Sequence, residues 1–169
     1  MKTEELRSIQ SPIKELYRNK PETALITLKA EGTLGENISC KIETGKILRE
    51  AGLHEATGGN GLYLCSGDML LEALAACAGV TLNAVATSMG IEIRSGKVKV
   101  EGDIDFRGTL GVSKDVPVGF KDIRLKFEID SSGTEEQIQK LIQLTERYCV
   151  VFQTISNPCK VEILYEKLS

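Results

Sequence analysis

One long and almost uncharged segment constrains the fold of this chain most. Residues 68–89 contain the run MLLEALAACAGVTLNAVATSM, and residues 73–91 carry no charged side chain. A helix at the surface of a globular protein keeps one polar face, whereas this run is apolar on nearly every side. Its Thr, Asn, Ser and Gly residues make it too weakly hydrophobic for a membrane span. We therefore expect a central helix that is covered all round.

Two further helices are indicated by capping residues. Ser11 and Pro12 suit the cap and the first position of a short N-terminal helix. Thr134 can cap a second long helix, with Gln137 completing a capping box. The apolar side of that second helix ends at a cysteine; its members are Ile138, Leu141, Ile142, Thr145, Tyr148 and Cys149.

The segment between the N-terminal helix and the central helix has a pattern that predicts two strands and then a loop. Residues 24–28 and 37–42 partly alternate between apolar and polar side chains, which predicts an antiparallel pair. Residues 46–66 show no clear period and contain the glycine-rich turn at 58–61, so we expect a loop that carries His54.

Strong alternation further along the chain predicts the rest of the sheet. Residues 97–106 and 120–129 alternate as half-buried strands do, and residues 159–165 predict a last strand. Together with the first pair these strands would form one largely antiparallel sheet. Runs of strands separated by two long helices are typical of the α+β class.

Composition limits the domain count and the partners. The chain has 169 residues, enough for one compact domain, and a formal net charge of -3 without a basic stripe, so a nucleic acid is not expected as partner. The charged N-terminus lacks the apolar core of a signal peptide, and we expect a cytoplasmic protein without membrane association. We assign residues 1–22 to an N-terminal helical appendage and residues 23–169 to the domain.

The cysteines are the candidates for chemistry. There are five, and in a reducing compartment their value is reactivity rather than structural disulfide bonds. Periodicity alone leaves Cys77 and Cys149 open as core fillers or as reactive thiols, and Cys65 as a redox partner or a loop residue. No two cysteines have the close spacing of a zinc site, and neither a metal nor another cofactor is expected.

Two cysteine motifs resemble those of a known family. The stretch SGDMLLEALAACAGVTL at 66–82 and the stretch YCVVFQTI at 148–155 are similar to the two cysteine motifs of the OsmC and organic hydroperoxide resistance family. The strands EGDIDFRGTLGV at 101–112 and VGFKDIRL at 118–125 also resemble family strands. The likeness runs in the expected order over residues 25–165.

The resemblance implies an OsmC-like fold with an antiparallel sheet and two long central helices, in an intertwined homodimer. It implies a thiol peroxidase in which Cys77 attacks an organic hydroperoxide as thiolate and becomes a sulfenic acid. Cys149 would resolve that acid as a disulfide, and a dithiol such as a lipoylated protein would recycle the enzyme.

The sequence departs from the family pattern at positions that matter for the implied activity. The family peroxidases carry a glutamate ten positions before the first cysteine, where this chain has Gly67, and a catalytic arginine without a clear match here. Asp68 fits an acidic position of other family branches, and Val150 follows Cys149 where the family usually has proline. Glu72 is a candidate carboxylate; the candidate cations are Arg18, Arg49 and Arg107.

Three functions follow as hypotheses. The first is the thiol peroxidase. The second, motivated by Gly67 and the missing arginine, is a module of the same fold that binds a small apolar ligand without turnover. The third is a redox sensor that uses Cys65 or Cys77.

Overall fold

A computed structural model describes residues 2–20, 31–34, 39–43 and 48–167 of the chain. Within these residues five α-helices, one short 3₁₀ helix and six strands follow one another in a mixed order. The helices are α1 Thr3–Asn19, α2 Ser66–Met89, α3 Phe106–Thr109, α4 Glu135–Tyr148 and α5 Val150–Ser156. The strands are β1 Glu31–Leu34, β2 Ser39–Glu43, β3 Leu48–Gly52, β4 Leu64–Cys65, β5 Ile93–Ile104 and β6 Phe120–Ser131.

The strands form two sheets rather than the single sheet that the sequence predicts. Strands β1 to β4 form a four-stranded sheet in sequence order, antiparallel except for the parallel β3–β4 pair. Strands β5 and β6 form a separate antiparallel ribbon. The expected α+β class, mainly antiparallel with two long helices, is confirmed.

Helix α2 is the centre of the hydrophobic core. Its buried side chains recur at helical spacing and pack against the β5–β6 ribbon, α4 and α5; they are Leu74, Ala78, Leu82, Val85 and Ala86. One core cluster joins Leu82 and Leu141 of α4, and the other joins Leu74, Ala78 and Cys149. The helix is not covered all round within one chain, because Val80 is 72% exposed.

The predicted start of the N-terminal helix at Ser11 is wrong. Helix α1 begins at Thr3, and Pro12 lies inside it. The Glu5 carboxylate accepts a 2.9 Å hydrogen bond from the backbone N–H of Lys2, which caps the helix nine residues earlier than expected. The Thr3 hydroxyl donates to the carbonyl oxygen of Thr87, so α1 lies against the end of α2.

The predicted loop over residues 46–66 is wrong in part, because it contains β3, a 3₁₀ helix at Glu55–Thr57 and β4. Strand β3 has the sequence LREAG, which alternates too weakly to be recognised, and it is held by its pairing with β2. The predicted strand at 37–42 corresponds to β2, whereas the one at 24–28 lies outside the described residues.

The predicted last strand at 159–165 is also wrong. The backbone pairs with no strand of the described chain there, and the apolar side chains are exposed, from 79% for Val161 to 94% for Tyr165. The alternation that predicted a strand is present, but a strand also needs a neighbour with which to exchange hydrogen bonds. Cys159, which lies at the start of that segment, is exposed as well.

Helix α2 is also the one helix of the described residues that is long and apolar enough to cross a membrane. The core helix of a globular protein passes the same test of length and composition. Because α2 packs one face against the ribbon and α4, we interpret it as a core helix.

Candidate active site

Cys77 lies in the middle of α2, next to the buried face of that helix. Its neighbours Leu74 and Ala78 are buried, while Cys77 itself is half-buried and packs against the cluster that contains Cys149. The residue is therefore in the core layer and still reachable from the surface, which a reactive thiol requires.

Cys149 lies at the junction of α4 and α5, where it is the last cap of one helix and the first cap of the next. Its N–H donates to the carbonyl oxygen of Thr145 at 2.9 Å, and its carbonyl oxygen accepts from the N–H of Gln153 at 2.9 Å. The side chain is 1% exposed. Two helices thus hold the thiol against the core, and the expectation that Cys149 points to the core side is confirmed.

The two thiols are in contact, and hydrogen bonds stabilise the thiolate form of Cys77. Burial raises the pKa of Cys77, but the backbone N–H of Val151, the Cys149 thiol, the Thr81 hydroxyl and the backbone N–H of Val150 donate to its sulfur. Together these donors outweigh burial and hold the pKa of Cys77 below its usual value.

The opposite shift applies to Cys149. Burial raises its pKa, and although the backbone N–H of Phe152 lowers it, the adjacent Cys77 sulfur raises it further. The pKa of Cys149 therefore lies above its usual value. Of the two thiols, Cys77 is the one that loses its proton at the lower pH.

The sequence reasoning missed the donors of this site. Thr81 is four positions after Cys77 and therefore on the same face of α2, a spacing that could have revealed it. The backbone donors of Val150 and Val151 belong to the first turn of α5, where N–H groups have no partner within the helix. Proline has no N–H, so this donor would be absent if position 150 carried the proline that is usual in the family.

The other predicted residues are separated from the thiol pair. Cys65 caps the start of α2 without a side-chain hydrogen bond, and Asp68 lies in the first turn. Twelve positions of helix place Cys65 about 18 Å along the axis from Cys77, too far for a disulfide within one chain. Glu72 is exposed on α2.

No cation stands beside the thiols in the part of the chain that the structure describes. Arg107 is exposed and binds the Asp105 carboxylate, whose pKa falls to about 2 mainly because of that hydrogen bond. The side chains of Arg18 and Arg49 lie outside the described residues. No lysine, arginine or histidine contributes to the pKa shift of Cys77 among the described groups, where only hydrogen bonds lower it.

An apolar cavity of about 230 Å³ shares walls with the core cluster that contains Cys149, although neither cysteine lines it. It is bounded by α2, β6, α4 and α5, with Glu146 and Ser156 as its polar residues. Most of its walls also pack on the cluster around Cys149; these residues are Leu74, Ile123, Leu125, Phe127, Phe152 and Ile155. A small apolar group in this cavity would contact side chains that also pack around the thiols.

The sequence matches a family model described as OsmC-like protein over residues 58–164, which include both cysteines and every element from β4 to α5. The chain belongs to the OsmC-like family. No curated protein is a significant match.

Solved structures agree with the OsmC-like assignment. An OsmC-like protein from Mycoplasma pneumoniae is 22% identical, with 79% of this chain and 89% of that chain covered and a TM-score of 0.67. An organic hydroperoxide resistance protein OsmC from Legionella pneumophila, also described as a predicted redox protein, is 18% identical, with 79% and 91% covered and a TM-score of 0.61.

A third OsmC-like relative, an organic hydroperoxide resistance protein from Elizabethkingia anophelis, is 24% identical, with 79% and 91% covered and a TM-score of 0.57. At these identities the likeness is one of fold, and function must be argued from the site.

Proposed function

We propose that this OsmC-like chain is a thiol peroxidase that reduces organic hydroperoxides. The observation that carries the proposal is the pair of contacting thiols with opposite pKa shifts, lowered for Cys77 and raised for Cys149. A peroxidatic thiol must be a thiolate, and a resolving thiol must stay protonated until the first has been oxidised. The relatives described as organic hydroperoxide resistance proteins share the fold in which this pair occurs.

The proposed reaction uses the two sulfurs in sequence. The Cys77 thiolate attacks the terminal peroxide oxygen, the O–O bond breaks, and the alkoxide leaves as an alcohol after taking a proton. The Cys149 sulfur then attacks the Cys77 sulfenic acid, a disulfide forms, and water leaves. A dithiol, for which a lipoylated protein is the candidate, reduces the disulfide and returns both thiols.

The apolar cavity supports an organic substrate over hydrogen peroxide. Its walls are mostly aliphatic and aromatic side chains that also pack on the core cluster of Cys149. An alkyl or aryl tail gains about 25 cal/mol per Å² of apolar surface that it buries there, and hydrogen peroxide has no such surface. The preference should therefore grow with tail size up to the volume of the cavity.

The test is a peroxide consumption assay with dithiothreitol or dihydrolipoamide as reductant, comparing cumene hydroperoxide with hydrogen peroxide. We expect turnover with the organic peroxide, and a single Cys77–Cys149 disulfide by peptide mapping after a stoichiometric dose. Cys159→Ser is the matched control, because Cys159 is exposed and outside the pair. Thiols that remain free under excess hydroperoxide would refute the proposal.

A second candidate is a module that binds a small apolar ligand without turnover. It is favoured by the absence of a cation from the described surroundings of Cys77, since thiolate activation then rests on hydrogen bonds alone. The apolar cavity suits this role equally. In that case cumene itself should bind as well as cumene hydroperoxide, and neither should change the thiols. A redox sensor would instead form the disulfide without a sustained turnover in the presence of dithiol.

We further propose that the protein works as a cytoplasmic homodimer. The side of α2 opposite its buried face is exposed and carries small residues at helical spacing; they are Ala73, Ala76, Val80 and Asn83. The exposed apolar segment 161–165 adds a second surface. Soluble monomers rarely leave such surfaces to water, and small residues allow close helix packing.

The size of the protein in dilute solution tests the dimer. We expect about twice the chain mass of 18.4 kDa, unchanged by high salt because the surface is apolar. Val80→Lys should shift the protein to the monomer. Leu110→Lys, at another exposed apolar residue away from α2, should not. A folded wild-type monomer would end the dimer proposal.

A further inference from the structure

A second cavity lies at the start of α2, away from the thiol pair. Its volume is about 310 Å³, within the range of small-molecule sites. Gly67 is part of its wall, ten positions before Cys77 and hence about 15 Å from it along the helix. The two cavities share no lining residue.

The shape of this cavity depends on two glycines. A Cβ atom on Gly67 would lie 3.5 Å from Cys65 Sγ, from Ile104 Cδ1 and from Phe120 Cζ, so a side chain there would project into the space. A Cβ atom on Gly102 would lie 2.5 Å from the Phe120 ring, so glycine is required for that ring to pack on β5. The space therefore exists because position 67 has no side chain.

The walls are apolar and aromatic. Leu71, Ile104, Phe106 and Phe120 are all half-buried, and the His54 ring stacks on Phe106 with 4.9 Å between ring centroids and 25° between planes. His54 Nδ1 accepts the N–H of Ala56 at 3.0 Å, which fixes the ring in this position. Stacked rings of this kind accommodate an aryl group.

The charged groups at the rim are carboxylates. Asp68 and Asp103 line the cavity, and its described lining contains no lysine or arginine. Asp103 is bound by Arg124 at 3.0 Å, whereas no hydrogen bond or ion pair engages the Asp68 carboxylate within the described residues. The helix dipole places about half a positive charge at the first turn of α2. This offsets only part of the negative charge of the Asp68 carboxylate.

We propose that this cavity binds a small organic cation, an aryl-substituted ammonium compound, with its ring between Phe106 and Phe120 and its ammonium group at Asp68. Aromatic faces attract cations and also stack on other rings. The aromatic walls and the carboxylates at the rim therefore both favour an aryl ammonium compound over an aryl carboxylate. The cavity is a binding site separate from the thiol chemistry, and it does not depend on peroxidase activity.

The experiment compares three probes of equal size by calorimetry or ligand-observed NMR: benzylammonium, benzyl alcohol and benzoate. We expect benzylammonium to bind best and benzoate least. Saturating benzylammonium should also slow the alkylation of Cys65 by iodoacetamide, measured by peptide mapping, because Cys65 lines the cavity. Equal or tighter binding of benzoate would overturn the proposal.

Variants at the cavity decide whether the binding occurs there. Gly67→Leu should abolish binding of benzylammonium, and Gly67→Ala should weaken it. Ser66→Leu adds the same side chain at an exposed neighbour and should leave binding intact. Asp68→Asn should reduce the preference for benzylammonium over benzyl alcohol by about threefold to fivefold, as an exposed ion pair would. Circular dichroism checks that each variant folds. Unchanged binding in folded Gly67→Leu would place the probe elsewhere and refute the site.

Discussion

Cys77 and Cys149 are the same residue type in mutual contact, yet their surroundings push their pKa values in opposite directions. Cys77 is half-buried on α2 and its sulfur accepts hydrogen bonds from Thr81, Cys149 and the first turn of α5. Cys149 is fully buried, and the Cys77 sulfur next to it disfavours a second negative charge. The difference teaches that the division of labour between attacking and resolving thiol is set by hydrogen-bond donors, since burial raises the pKa of both thiols and only Cys77 receives enough hydrogen bonds to offset it.

The largest expected effect comes from removing the attacking thiol. Cys77→Ser should reduce peroxide turnover on the order of 10³-fold or more, because a serine hydroxyl is not ionised at neutral pH and cannot replace the nucleophile. The measurement is the rate of cumene hydroperoxide consumption with dithiothreitol. Substantial residual turnover would assign the attack to another cysteine.

Removing the resolving thiol should have a smaller and different effect. Cys149→Ser should still consume about one equivalent of peroxide per subunit, because resolution follows attack, and then stop without a thiol that resolves the product. A sulfenic acid at Cys77 should be trapped by dimedone and located by mass spectrometry. If no label appeared on Cys77, the assigned order of the two thiols would be wrong.

The contribution of a side-chain donor can be isolated at Thr81. Thr81→Val keeps the shape and removes the hydroxyl, so the pKa of Cys77 should rise and its alkylation by iodoacetamide at neutral pH should slow by up to about tenfold. Because a thiol reacts as thiolate, the rate rises with pH through the pKa of Cys77, and the profile of the variant should move to higher pH. Thr87→Val is the matched control, since that hydroxyl donates to the carbonyl oxygen of Asn83 on the same helix. Equal shifts in both variants would exclude a specific role for Thr81.

The smallest expected effect comes from a backbone donor. Val150→Pro removes the N–H that donates to Cys77, and proline is tolerated at the first position of a helix, which Val150 occupies in α5. Since this donor makes the smallest of the contributions that act on Cys77, alkylation should slow by only a few-fold. Val151 provides the stronger backbone donor and remains in place. A faster reaction in the proline variant would contradict the hydrogen-bond account of the comparison.

The sequence by itself determined the elements whose signals are local. The apolar run ending at Met89 became α2, Thr134 and Gln137 form the capping box of α4, and the alternation at 97–106 and 120–129 became the β5–β6 ribbon. Each of these signals is contained within one segment, as helix caps, apolar runs and strand alternation are. The two cysteine motifs were likewise sufficient for the family.

Only the tertiary structure decided what depends on a distant partner. Strand β3 exists because β2 lies beside it, while residues 159–165 alternate as well as any strand and find no neighbour within the described chain. The contact between Cys77 and Cys149 joins α2 to the α4–α5 junction, and the donors that separate their pKa values come from Thr81 on α2 and from the first turn of α5. A sequence pattern records which side chains a segment offers, but hydrogen-bond partners, burial and electrostatic fields arise between segments, so they are fixed only when the chain has packed.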